Sequence, residues 1–389
     1  MEPMLPEEAD RSLDDVTFKL VREASMLAGR VHPLVQDAIG ALVRSMNCYY
    51  SNLIEGHDTH PRDIDRALVQ DFSAEPRKRA LQLEAVAHIA VQQRIDQGDD
   101  PQDWPTSRAY VEWLHRAFCE RLPDELLWVE NPDTGERLRV TPGELRQRGV
   151  MVGRHVPPDA DDLPRFLGRF EQAYDPARLS QVRQVEAVGA AHHRLLWVHP
   201  FLDGNGRVTR LMSHALFKRL GIGTSLWSVS RGLARDAQRY KALLAAADAP
   251  RRGDRDGRGA LTQAGLIEFS DFFLRTCLDQ VRYMTSILEP QELLRRIEAY
   301  ADAEARARRL PNGAYPVLRE ALLTGELSRG DAGKLTGYRE RAGREVVSAL
   351  LKKGLLVATN GTHKSAVRLG FPIDIVERWF PRLYPTGLS

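Results

Sequence analysis

Twelve consecutive residues, His199-Pro200-Phe201-Leu202-Asp203-Gly204-Asn205-Gly206-Arg207-Val208-Thr209-Arg210, constrain this chain more than any other stretch. They put a histidine, a carboxylate, a Gly-Asn-Gly turn and two arginines on one loop and the helix start that follows it. Beyond Gly206 the apolar residues Val208, Leu211, Met212, Ala215, Leu216 and Leu220 recur at helical spacing. Arg207, Arg210 and His214 fall on the opposite stripe, and Gly221 stands where a helix C-terminus favours glycine. A glycine turn that opens into a helix offers unpaired N–H groups at the positive end of the helix dipole, and these bind anions. Two guanidiniums on the same helix add bidentate phosphate recognition. The run reads as a polyphosphate cradle with a potential base and a metal-binding carboxylate at its lip.

Each residue alone has an ordinary explanation: a structural histidine, a turn, a solvated basic face. Their joint occurrence in register resembles the signature of the Fic family, His-x-Phe-x-Asp/Glu-Gly-Asn-Gly-Arg-x-x-Arg, at every fixed position. The resemblance implies a mainly α fold, a Fic-type helical core with a small β-hairpin flap. It also implies transfer of part of a nucleotide, usually AMP from ATP, to a Ser, Thr or Tyr hydroxyl of a target protein, with auto-modification as one outcome. The alternatives are removal of AMP or transfer of another nucleotide or phosphate group at the same site, and, in another class, a DNA-binding regulator with a nucleotide-sensing Fic core. By the same resemblance His199 is the general base and Asp203 holds Mg²⁺ between the α- and β-phosphates. The amides of Gly204, Asn205 and Gly206, with the Asn205 side chain, form the anion hole. Arg207 and Arg210 hold the outer phosphates, Phe201 anchors the loop, and Tyr240 lies near the adenine. Such chemistry rests on positioning and charge stabilisation, so donors, one hard-oxygen ligand for the metal and a base suffice. A zinc site built from His192, His193, His199 and Asp203 is disfavoured, because the glycine break spoils a helical ligand pair.

A second element sits far upstream. Ser51-Asn52-Leu53-Ile54-Glu55-Gly56 resembles the inhibitory Ser/Thr-x-x-x-Glu-Gly/Asn motif of Fic proteins. It closes a helical pattern with apolar residues at Ala38, Leu42, Met46, Tyr49, Tyr50 and Leu53, so Ser51 and Glu55 share one face. The resemblance implies that Glu55 pairs with Arg210 in the space of the ATP γ-phosphate, with Ser51 in support. Gly143 to Pro158 reads as a hairpin closed by prolines, and in Fic proteins this region is the flap that clamps the target by strand addition.

Composition fits an intracellular enzyme. The 389 residues are 43% hydrophobic, enough for a sizeable core. Basic and acidic residues number 55 and 53, so no global pull toward nucleic acid or membrane is implied. Cys48, Cys119 and Cys277 show neither metal spacing nor a disulfide framework, which points to a reducing cytoplasm. The acidic start, Glu2 to Asp15, lacks a leader pattern, and no apolar run is long enough to cross a membrane.

Four regions are expected: an N-terminal helical region with the inhibitory helix (1–100), the Fic core (101–289), a charged linker helix (290–309) and a C-terminal unit (310–389). The last reads helix, helix, helix, then two extended segments around Asn360-Gly361, which resembles a winged helix. Arg339, Arg341, Arg344, Lys352, Lys353, Lys364 and Arg368 supply basic charge there, interrupted by Glu340 and Glu345. DNA contact and protein contact both remain open for this unit, as does homodimer formation.

Overall fold

The computed structural model describes residues 1–7, 11–131, 134–223, 225–359 and 365–385. Four helices come first: α1 (Asp14–Ala28), α2 (Pro33–Ile54), α3 (Pro61–Leu68) and α4 (Pro76–Gln97). Proline opens three of them, at Pro33, Pro61 and Pro76, where its missing N–H costs nothing. Next come α5 (Arg108–Cys119), the paired strands β1 (Trp128–Glu130) and β2 (Arg137–Arg139), and α6 (Leu163–Ala173). The central pair is α7 (Gln181–Val198) and α8 (Asn205–Arg219), followed by α9 (Val229–Arg235), α10 (Ala237–Ala247) and the long α11 (Gln263–Ile287).

Helix α8 is buried on every side: Asn205 and each residue from Arg207 to Phe217 are inaccessible. It packs against α7, α5, α4, α9 and α2. The expected polar stripe therefore does not face water. It survives burial because each member has an acidic partner on a neighbouring element, as buried charges require: Arg207 meets Glu84, Arg210 meets Glu55 and His214 meets Asp96. Beneath it, α7 and α11 approach closely at Gly189, where a Cβ would lie 3.3 Å from the Ser270 Cα. Phe269 and Phe273 of α11 fill the space beside His192.

In α2 the buried stripe runs through Val35, Ile39, Val43 and Met46, while Ala38 and Leu42 are only half-buried. The expected stripe was thus off-register in the first turns. From Ser45 to Asn52 the helix is enclosed all round. The hairpin expected over Gly143 to Pro158 shrinks to one bridge, Val152 to His155, around Gly153 at φ +61°. The regular antiparallel ladder lies upstream, with Trp128 opposite Arg139 and Glu130 opposite Arg137.

After α11 the chain continues as α12 (Pro290–Arg306), α13 (Ala314–Thr324), α14 (Arg329–Leu335) and α15 (Glu340–Lys352). Strands β3 (Leu356–Ala358) and β4 (Val367–Leu369) pair antiparallel, and Leu327 bridges to Val367. The Asn360-Gly361 turn and Lys364 lie outside the described residues. A last helix, α16 (Ile373–Trp379), leads to a tail that returns to α2: the Tyr50 hydroxyl donates to the Leu383 carbonyl at 3.1 Å, and Tyr384 packs edge-on to Tyr49. All three cysteines are buried and unpaired. Among the described residues no helix is long and apolar enough to cross a membrane.

Candidate active site

The site forms where α7 ends and α8 begins. His199 caps α7 in the left-handed region, φ 48° and ψ 62°, and Gly204 starts α8 at φ 78°. A non-glycine residue in that region is held there by its surroundings at a cost of about 1–3 kcal/mol. The loop is braced internally. Asn205 Oδ1 accepts the Phe201 N–H at 3.0 Å, and Asn205 Nδ2 donates to the Phe201 carbonyl at 2.8 Å. The Asn205 side chain, expected in an anion hole, is instead spent on shaping the loop. Phe201 is fully buried and stacks on the His115 ring, with centroids 3.9 Å apart. His115 Nδ1 in turn accepts the Gly143 N–H at 2.9 Å.

His199 itself is half-buried. Burial, then the charges of Arg146 and His155, push its pKa down to about 4, so the imidazole is neutral at physiological pH. Asp203 is exposed at the lip, a single hard-oxygen ligand beside the anion-binding turn. That donor set fits Mg²⁺, which commonly takes one or two protein carboxylates and fills its remaining positions with phosphate and water. The zinc alternative finds no support: His192 bonds Ser213 Oγ at 2.8 Å and the Tyr240 hydroxyl at 2.7 Å. Among the described residues no group of three or more His, Cys, Asp or Glu is arranged to hold a metal.

Both arginines are already engaged. Arg210 Nη2 donates to Glu55 Oε1 at 2.5 Å and to the Ser51 carbonyl at 3.2 Å, while its Nε donates to Ser51 Oγ at 2.8 Å. Burial pushes the Glu55 carboxyl upward, but the charge and hydrogen bond of Arg210, with Arg207 and His57, leave it below the ordinary value. The Glu55 carboxylate also lies over the first turn of α8, since a Cβ built on Gly206 would overlap it. Glu55 thus covers the turn that opens α8.

Arg207 turns toward α4, where its Nη2 meets Glu84 Oε2 and His57 Nδ1, each at 2.9 Å. Burial raises the Glu84 carboxyl, but the His57 hydrogen bond and the Arg207 charge outweigh it and hold it low. Tyr240 is 2% exposed and directs its hydroxyl to His192, which puts it in a polar core network below Arg210. Glu84, His57, His115 and Arg146 escaped the sequence reading, because each contacts the loop or α8 across a long sequence separation and none belongs to a spaced motif.

Fold and site together define a helical domain whose glycine turn at the start of α8 is covered by the Glu55 carboxylate. Residues 105–217 match the Fic/DOC family, and the chain carries a Fic domain. Over 79 residues it is 40% identical to a protein named protein adenylyltransferase Fic from Drosophila erecta and 42% identical to its namesake from Drosophila ananassae, covering 20% of this chain in each case. The chain spans only 16% of the length of these curated relatives. A Fic family protein from Desulfovibrio desulfuricans is similar in fold over 95% of this chain and 98% of its own, at 18% identity and a TM-score of 0.54. A Fic-domain-containing signaling protein from Bacteroides thetaiotaomicron is similar over 69% and 95%, at 18% identity and a TM-score of 0.51.

Proposed function

We propose that this chain is a protein adenylyltransferase that moves AMP from ATP to a Ser, Thr or Tyr hydroxyl of a target protein and is restrained by Glu55. The observation that carries the reading is the Glu55 carboxylate seated on Arg210 over the start of α8, beside a neutral His199 and an exposed Asp203. A carboxylate held in that position marks it as an anion site. The relatives named protein adenylyltransferase support AMP as the transferred group.

In the mechanism the target hydroxyl loses its proton to His199 as its oxygen bonds to the α-phosphorus. The bond from that phosphorus to the bridging oxygen breaks, and pyrophosphate leaves. The N–H groups of Gly204 to Gly206 and the dipole of α8 stabilise charge on the phosphates. Arg207 and Arg210 bind the outer phosphates once their carboxylates yield. Mg²⁺, when bound through Asp203, supplies charge neutralisation at the phosphates.

The test is label transfer from α- against γ-³²P ATP. The reading expects incorporation only from the α-label, enhanced in Glu55→Gly and absent in His199→Ala. Retained transfer in His199→Ala overturns the assignment of the base. Water can replace the hydroxyl in the same frame, with Glu55 orienting it; release of AMP from a pre-modified target that falls in Glu55→Gly would support this de-AMPylating alternative.

We further propose that residues 310–389 form a winged-helix unit and that it contacts protein rather than DNA. Its α15 arginines are paired within the helix, Arg341 with Glu345 and Arg344 with Glu340. A mobility shift on DNA that disappears in Arg341→Ala with Arg344→Ala would reverse that choice.

A further inference from the structure

Arg146 lies in the irregular chain between β2 and α6 and is only 3% exposed. Its backbone N–H donates to the Pro200 carbonyl at 2.9 Å. Its Nε donates to the His199 carbonyl at 2.8 Å, Nη1 to the Arg148 carbonyl at 2.8 Å, and Nη2 to the Pro158 carbonyl. One guanidinium therefore joins both ends of the 148–158 loop to the residue that ends α7. A planar fork with five donors can satisfy three carbonyls in fixed directions, which a lysine ammonium on its flexible stem cannot reproduce. Its hydrogen bonds all run to backbone carbonyls, and burial lowers its pKa while the charge of Asp159 opposes that shift.

Two features give this arrangement a purpose. His199 holds a left-handed backbone, a conformation that persists only where neighbours over-determine it. Arg146 fixes the His199 and Pro200 carbonyls, the two that follow that strained Cα. The joined loop exposes Met151, Val152 and Val156, at 70%, 42% and 71%, and docks a second time where His155 Nε2 meets the Trp197 carbonyl at 2.7 Å. The apolar tip that can receive a partner segment is thus mechanically tied to the imidazole.

We propose that Arg146 is the positioning residue of the base: it pins the His199 backbone and registers the 148–158 loop against it, so that a hydroxyl presented along the loop meets the imidazole. This rests on the reading of His199 as the base. Arg146 touches neither the α8 turn nor the two phosphate-facing arginines, so ATP binding does not depend on it.

The test uses the full chain in the Glu55→Gly background, with Arg146→Lys and Arg146→Ala. Expected is a fall in kcat of order 10²-fold for Arg146→Ala, the scale of a 1 Å misplacement, a smaller fall for Arg146→Lys, and an unchanged KM for ATP. The second readout is the ¹³C–¹H signal of the His199 ring, assigned by its loss in His199→Ala. The groups facing this ring are Arg146, His155 and, in the unsubstituted chain, Glu55. The signal should move in both variants, while its titration midpoint rises only in Arg146→Ala, because lysine keeps the cation. A purely structural role would not divide the two variants in this way.

A kcat within twofold of the parent in a folded, ATP-binding variant overturns the proposal, and so does an unmoved His199 signal. If the Glu55→Gly parent transfers nothing, the adenylyltransferase reading fails, and the ring signal still decides the positioning role. If Arg146→Ala does not fold, the same two readouts on Arg146→Lys decide it.

Discussion

Replacing Glu55 separates charge from bulk at the cradle. A charge-assisted hydrogen bond contributes about 1.5–3 kcal/mol when enclosed, but the Glu55 side chain is 35% exposed while that of Arg210 is 2% exposed. Solvent screening moves the pair toward the roughly 0–1 kcal/mol of surface pairs, so a working figure is about 1–2 kcal/mol. Arg210 keeps its two Ser51 bonds when Glu55 is removed, and so remains aimed at the cradle. All of the released interaction becomes available to an incoming γ-phosphate. At about 1.4 kcal/mol per tenfold, productive ATP binding should rise by roughly 5–30-fold in Glu55→Gly. Glu55→Gln should fall between this variant and wild type, because the amide loses the charge yet still fills the space over Gly206. Fold stability should fall by no more than about 2 kcal/mol, and the double variant Glu55→Gly with Arg210→Ala should be inactive again. The assay is incorporation from α-labelled ATP at subsaturating nucleotide, with urea melts as the stability control. A Glu55→Gly protein that binds ATP but transfers no faster than wild type would refute restraint by this carboxylate.

Other consequences are equally direct. Glu84→Gln releases Arg207 from its 2.9 Å contact and should tighten ATP severalfold by calorimetry, the scale of about 1 kcal/mol for a partly screened pair; an unchanged Kd would show that Glu84 does not compete with phosphate. Asp203→Ala should lose transfer, recover part of it in excess Mg²⁺, and leave the urea midpoint in place, since the side chain is exposed; equal rates in EDTA and Mg²⁺ would remove the metal. His88 and His115 are fully buried, with pKa values lowered by burial to about 3 and about 4. Because the unfolded chain binds more protons below about pH 6.5, stability is full above that value and falls as pH drops, by about 2 kcal/mol per histidine at pH 5; urea melts at pH 8 and pH 5 that coincide would contradict this. Tyr50→Phe leaves the Leu383 carbonyl without its donor and should cost about 1–3 kcal/mol by urea melt.

Much of the fold could be read from local pattern. Helical periodicity over Arg77 to Gln97, Arg108 to Arg121 and Ser180 to Val198 matches α4, α5 and α7 with end shifts of two residues or fewer. Caps and periodicity lie within a few residues of each other, so sequence carries them well. The hairpin was placed wrongly for a related reason. Val150 and Val152 alternate, but their segment is committed through Arg146 and His155 to the end of α7, which leaves one bridge. The true ladder is closed by Asn131 and Gly135, with the Asn131 N–H donating to Glu136 and the Gly135 N–H to Asn131. Which of two short alternating runs pairs with itself is decided by tertiary anchors that no local window contains.

The site divides along the same line. The 199–210 run fixed the turn, the helix and its arginines, because turn chemistry and helix start are local. It could not fix where the arginines point. From the spacing alone Arg207, Arg210 and His214 form one polar stripe, which in an isolated helix faces water. Burying that stripe requires three acids, and they come from Glu84, Glu55 and Asp96, of which only Glu55 belonged to a recognisable motif. Glu84 and Asp96 lie twelve positions apart on one helix, about 120° apart around its axis. Both still reach α8, Glu84 at Arg207 and Asp96 at His214. Helix α4 therefore supplies two of the three carboxylates that meet α8, and the end of α2 supplies the third. Of the three acids, the one at the end of α2 is the most exposed, and its buried partner Arg210 keeps two bonds to Ser51 when Glu55 leaves. Exposure separates them, at 35% of the side chain for Glu55 against 13% for Glu84 and 5% for Asp96, so under the proposed restraint the carboxylate at the α2 terminus is the one placed to move.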